Sequence, residues 1–387
     1  MIRNCEILFG PGYASPQDAF LNGPREKFLF VTCPNTDPSK PDIITTVDVD
    51  PASDTYCQIV SRVDLPYSGD EVHHSGWNAC SSCFGDKTAK RSYLVVPCLL
   101  SSRVYFINTT NPKALKLHKV VEPNALLAHN VSFPHTTHCL ADGNIMISTL
   151  GDAKGDAKGD FILVNGKTFD VVDTWIAKDS QHIQFNYDFW YQPHHNVMVS
   201  TEWGAPLAIR RGFQMKDVAQ ALITEIIISM DDKFLYLSCW LHGDIRQYDI
   251  SDPHHPKLVG QVFIGGSIHD ETDVIVDLEE DEELQERPKA CYIKGERIEG
   301  GPQMLQLSLD GKRLYATTSL FRIWDEQFYP KTKVSGTRMI QIDVDTDRGG
   351  LTINEDFLVD FGRIEGGPFL AHEMRYPNGD CTSDIWI

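Results

Sequence analysis

The chain has 387 residues, 42% apolar and 10% aromatic, enough to bury a large core. Fifty-four acidic residues against 35 basic ones give a formal net charge of −19. That balance excludes non-specific attachment to nucleic acid or to an anionic membrane, since both need clustered Lys and Arg and no basic run appears.

The opening residues Met1-Ile-Arg-Asn-Cys-Glu6 show no signal-peptide core, and no stretch approaches the roughly 18 apolar residues of a membrane helix. The expectation is a cytosolic chain without a transmembrane segment, its ten cysteines being thiols or ligands rather than disulfides. Short β-branched and aromatic runs then recur, separated by Asp, Gly, Asn and Pro turns. In chain order they include Ile43–Val49, Tyr93–Cys98, Asn144–Thr149, Asn196–Thr201, Phe234–Ser238 and Arg313–Thr318. Helical periodicity is scarce; Met215 to Leu222 is the best helix candidate, and Glu279 to Glu283 reads as a solvated acidic loop.

Two hairpin patterns repeat. In the first, an apolar strand and a tight turn lead to a strand ending in Ser or Thr: Cys139–Thr149, Tyr191–Thr201, Ile228–Ser238 and Leu307–Thr317. Asp-Gly in two of these turns supplies the positive φ that a short hairpin needs. In the second, an acidic or Asn turn follows a strand, as at Val47–Pro51, Phe106–Pro112, Leu163–Gly166, Gln247–Pro253 and Gln341–Asp345. Fixed-order repetition of a four-strand unit predicts an all-β fold, a β-propeller in preference to a β-sandwich.

Chemistry concentrates between Glu71 and Asp86. His73 and His74 adjoin Cys80-x-x-Cys83, and imidazole and thiolate are the side chains that hold Cu and Zn. Cys80 and Cys83 fit three roles: metal ligands, a redox dithiol or buried thiols. No second C-x-x-C argues for structural zinc, and the β surroundings are not those of a thioredoxin-like motif. His135 and His138 form a second cluster in His135-Thr-Thr-His-Cys139; His242 and His372 stand singly beside strands. Loops at one end of a propeller converge on its channel, so histidines from distant segments can meet there. Cys57, at the start of a strand, reads by itself as a core or edge cysteine. No phosphate-binding loop or G-x-S-x-G elbow is present, and Trp324-Asp325 is a lone dipeptide.

His73-His-Ser-Gly-Trp-Asn78 and Cys80-Ser-Ser-Cys-Phe-Gly85 resemble the signature of the selenium-binding protein / methanethiol oxidase family. The resemblance runs from Gly10-Pro-Gly-Tyr13 to Ser383-Asp-Ile-Trp-Ile387. It implies a seven-bladed propeller, copper held by channel histidines drawn from His73, His74, His135, His138, His242 and His372, and selenium bound on Cys57. Cys80 and Cys83 remain redox candidates. Family members continue past the counterpart of Phe213 through roughly another blade and a half before the counterpart of Ile226. A single propeller domain over 1–387 is therefore expected, with an internal deletion at about 213–225 and an incomplete or distorted ring. The implied activity is copper-dependent oxidation of methanethiol by O2 and water to formaldehyde, hydrogen sulfide and hydrogen peroxide, a step of organosulfur degradation. The alternative is a non-enzymatic selenium-binding scaffold in intracellular protein transport. Also implied are protein partners on a propeller face, and a place in the cytosol, the nucleus and peripherally on membranes.

Overall fold

A computed structural model describes residues 11–177, 183–192, 195–213, 222–276, 284 and 286–380. The helix candidate at Met215 to Leu222 lies outside them except for Leu222, as does the acidic run to Glu283. The chain folds into antiparallel sheets taken in sequence order. β1 (Phe28–Cys33), β2 (Pro41–Asp48) and β3 (Ile59–Ser68) begin the first sheet. β4 (Gly76–Trp77), β5 (Tyr93–Pro97), β6 (Val104–Asn108) and β7 (Lys116–Val121) make the second. β8 (Ser132–Cys139), β9 (Asn144–Gly151), β10 (Ala157–Asn165) and β11 (Val171–Thr174) make the third. β12 (Phe189–Gln192) and β13 (Val197–Ser200) form a hairpin with no further strand among the described residues. β14 (Ile223–Ile228), β15 (Phe234–Cys239), β16 (Asp244–Asp249) and β17 (Lys257–Phe263) form another full sheet. A small hairpin of β18 (Tyr292–Ile293) and β19 (Glu296–Arg297) precedes the last sheet. That sheet holds β20 (Leu305–Leu307), β21 (Arg313–Thr317), β22 (Arg338–Val344) and β23 (Leu351–Asp360). Finally β24 (Met374–Arg375) pairs with β1, so the C-terminal segment completes the first sheet.

The result is a ring of five four-stranded blades, a β-propeller, with one two-stranded hairpin where a sixth blade would begin. The seven blades implied by the resemblance are not what the described residues form. Both hairpin repeats read from the sequence have a structural meaning. The first is the turn between the first and second strands of a blade, and its left-handed residue is present at Gly143, Asn196, Asp232 and Gly311. The second is the turn between the third and fourth strands.

The blades adhere through their apolar faces. Leu94, Val96 and Tyr105 pack against Phe30 and Ile44 between the first two blades. Val95 and Phe106 meet Ile145, Ile147 and Ile162 between the next two. Ile227, Tyr236 and Ile245 meet Leu305, Leu314 and Ile340; Tyr315 and Phe357 meet Leu29 and Val31. Met146 and Phe161 hold Phe189 of the hairpin. Among the described residues no such core joins the hairpin strands to the β14–β17 blade. Instead Val197 and Val199 on β13 are 51% and 58% exposed, and Ile223 on β14 is 58% exposed. An apolar strand face left bare in this way marks a missing neighbour. No described helix is long and apolar enough to cross a membrane.

Candidate metal centre

The first strands of the blades surround the ring axis, and three segments bring histidines to one place. His73 and His74 precede β4, which lies beside β8. Glu71, at φ +56°, turns the chain there; its carboxylate accepts from the backbone N–H of Arg322 (2.9 Å) and its Nε (3.1 Å), tying this segment to the one that carries Ser319 and Leu320. His135 lies on β8 inside a register break between Pro134 and Thr137, the kind of irregularity that re-aims a side chain. His372 precedes β24 and is held by its backbone N–H to the Thr32 carbonyl, 3.0 Å.

Nitrogens of His73, His74 and His135 lie within 4.8 Å of one another. The His372 ring centre is 3.8 Å from that of His73 and 5.4 Å from that of His74. All four side chains are buried. Each has one ring nitrogen engaged and the other without a partner. His73 Nε2 is 3.0 Å from the Leu320 carbonyl and His372 Nδ1 is 2.8 Å from that of Ser319. A carbonyl only accepts, so these nitrogens carry the protons and the opposite ones present lone pairs. His135 Nδ1 meets Thr136 Oγ1 at 2.9 Å, and His74 Nδ1 is 3.5 Å from Glu373 Oε1. The unpartnered atoms are His73 Nδ1, His74 Nε2, His135 Nε2 and His372 Nε2. Buried polar atoms normally find a partner, and an imidazole fixed through one nitrogen with the other left open is the usual state of a metal ligand. The residues therefore fit a metal ion with imidazole preference, such as Cu, Zn or Fe.

Electrostatics agree. Burial pushes all four histidines below the usual imidazole range, and the neighbouring rings push His73 and His74 further; His372 is lowered to about 3. At neutral pH the group is uncharged and its lone pairs are free. Glu373 is also buried; burial raises its carboxyl to about 7 against the opposing pull of Arg375, which is bonded to it, as are the backbone N–H and hydroxyl of Ser75.

The other sequence candidates lie elsewhere. His138 rests edge-on against Phe189, with Nε2 2.7 Å from the Phe189 carbonyl. His242 sits half-buried in the β15–β16 turn. Cys57 is half-buried at φ +63° in the β2–β3 turn, its Sγ 3.8 Å from the Asp356 carbonyl, and burial raises its thiol. Cys80 is joined not to Cys83 but to Cys139, so the expectation of thiols without disulfides is corrected for this pair. Cys83 stays a free thiol beside the Leu140 carbonyl at 3.7 Å. The sequence alone assigned no role to Glu373, Thr136 or the Ser319 and Leu320 carbonyls; Glu373 and Thr136 stand next to His372 and His135 in sequence, whereas nothing there points to the two carbonyls. It also missed Tyr187, whose ring stacks on His135 at 3.9 Å.

Comparison with known proteins supplies the family. The human methanethiol oxidase is 46% identical over 468 aligned positions, covering 98% of each chain. A methanethiol oxidase of Xenopus laevis is 46% identical over 469 positions with the same coverage. These alignments are longer than the present chain. The X-ray structure of a hypothetical selenium-binding protein from Sulfolobus tokodaii superposes with a TM-score of 0.82 at 31% identity, covering 97% of this chain and 98% of that one. The model of the 56 kDa selenium-binding protein family matches in two stretches, residues 7–221 and 217–387. With its propeller and its buried histidines, the chain belongs to the 56 kDa selenium-binding protein (SBP56) family.

Proposed function

We propose that this protein is a methanethiol oxidase: methanethiol, O2 and water give formaldehyde, hydrogen sulfide and hydrogen peroxide. The convergence of His73, His74 and His135, with the His372 ring beside that of His73, all four buried and neutral and each with one open nitrogen, carries the reading. The name and 46% identity of the human relative support the substrate and the reaction. His73, His74, His135 and His372 would hold copper, which when bound supplies a site for a soft sulfur ligand and a one-electron couple to O2. The Leu320 and Ser319 carbonyls fix the proton on the far side of His73 and His372, and the Glu373 carboxyl faces the far side of His74 at 3.5 Å. Tyr187, flat on His135, walls one side of the group from water. His138 and His242 stay outside this ligand set. Family membership and its half-buried thiol support selenium binding at Cys57.

We further infer that the chain lacks roughly a blade and a half between Phe213 and Glu225 relative to its relatives. Three observations support this: an alignment longer than the chain, two family matches that overlap at 217–221, and a hairpin with no third strand among the described residues.

Copper content and peroxide production by purified protein, beside His74→Ala, test the activity. Both are expected to fall in the variant. Copper-free wild type, or copper without peroxide from methanethiol, would leave the non-enzymatic scaffold as the better reading.

A further inference from the structure

Blade follows blade around the ring except between β13 and β14, and that break holds a cavity of about 490 Å³. Its walls are aromatic. Tyr187, Trp203 and Trp324 run in contact, with ring centres 4.8 and 4.9 Å apart, and Trp190 joins them. At the inner end Tyr187 lies on His135, so a single ring separates the cavity from the histidine group. Methanethiol has two heavy atoms, whereas cavities of roughly 300–1,000 Å³ take ligands of many more. A chamber of this size next to a thiol-oxidising centre is matched to a larger thiol.

Charge narrows the class. Three carboxylates line the cavity, Asp188, Glu202 and Glu225, and among the described residues no Lys, Arg or His does. Asp188 accepts from the backbone N–H of Phe189 at 2.8 Å and Glu225 from that of Ile226 at 3.1 Å. Burial raises both carboxyls, Asp188 to about 6; the charges of Asp188 and Glu373 raise Glu225 further, and the Arg375 guanidinium, itself bonded to Glu373, opposes the rise in both without cancelling it. A positive ligand between them relieves that repulsion, and the indole faces add attraction for an ammonium group. Neutral or anionic thiols gain neither.

We propose that this cavity is a substrate chamber for cationic thiols, primary thiols whose carbon chain R carries an ammonium group. The ammonium sits between Asp188 and Glu225, the carbon chain lies along Trp190 and Trp203, and the sulfur reaches the histidine group past Tyr187. The inference rests on the thiol oxidation proposed above. In the balanced step one thiol, one O2 and one water give one aldehyde, one hydrogen sulfide and one hydrogen peroxide. The C–S bond breaks, the oxygen of water forms the new C=O bond, and two electrons with two protons reduce O2 to peroxide.

Two measurements separate the chamber from the activity. First, tetramethylammonium is titrated into metal-free protein and followed by tryptophan fluorescence. Saturable quenching is expected, with affinity about tenfold weaker in Asp188→Asn/Glu225→Gln. These replacements keep side-chain shape, and near-UV circular dichroism checks the fold. No saturation, or equal affinity in the folded variant, overturns the chamber. Second, copper-loaded protein is assayed for peroxide with 2-(trimethylammonio)ethanethiol and with ethanethiol. The cationic thiol is expected to lead in kcat/KM by about tenfold, with the ratio collapsing in the variant. A ratio near one in wild type overturns the substrate class. Cation binding with no thiol oxidised overturns the oxidase reading, and the substrate role with it, while the cation site itself stands.

Discussion

Replacing His372 with Asn tests whether the histidine group is held neutral by burial. The Asn amide nitrogen takes the place of Nδ1 and keeps the bond to the Ser319 carbonyl, while the open Nε2 is removed. His372 has a folded pKa of about 3 against 6.5 when unfolded. A depressed value means that its stabilising contribution is complete above pH 6.5 and is lost as pH falls toward 3. Between pH 7.0 and 5.5 the unfolded histidine gains most of a proton and the folded one gains none. The wild type should therefore lose about 1.3 kcal/mol more than His372→Asn over that interval. Glu373, Asp42 and Asp325 also titrate near pH 7, but both proteins contain them and they largely cancel in the difference. Urea unfolding of both metal-free proteins at the two pH values measures it. Equal losses in the two proteins, or a smaller loss in the wild type, would show that His372 takes up its proton as readily in the fold as in the unfolded chain, and would remove the basis for calling the group a ready ligand set.

Gly76→Ala should weaken metal binding without touching a ligand: the new Cβ would lie 2.4 Å from the Thr137 carbonyl oxygen, prising β4 from β8 and His74 from His135. A fall of about tenfold in competitive chelator titration, with native circular dichroism, is the expected outcome. Glu26→Gln should cost about 3 kcal/mol in urea unfolding, because Arg313 is left buried with only Asp310 as a charged partner and Tyr315 loses an ionic acceptor. At Cys57, alkylation should be slow at pH 7 and accelerate with rising pH, since burial raises the thiol; selenium content should vanish in Cys57→Ser while copper content holds, and retained selenium would move that site to another cysteine.

Much of the architecture is written locally. Strand runs such as Tyr93–Pro97 and Phe234–Cys239 are short apolar runs rich in aromatic or β-branched side chains, and turns such as Asp142-Gly143 and Asp310-Gly311 carry their own positive φ, so the blade hairpins are legible. So are the histidine-bearing segments, whose density at residues 73–74 packing does not require. Which histidines meet is not legible. His135 and His138 look equivalent in the sequence, but the register break between Pro134 and Thr137 re-aims the first of them, and His135 joins the group while His138 rests against Phe189. Cys80 has Cys83 as its neighbour in sequence; the packing of β4 against β8 brings it to Cys139 instead, 59 residues away. Hydrophobic pattern and turn chemistry act over a few residues, so the sequence alone determined the blades. The partners that orient each imidazole, and the cavity at the break between β13 and β14, depend on side chains far apart in the chain, and only the packing of the blades about a common axis decided them.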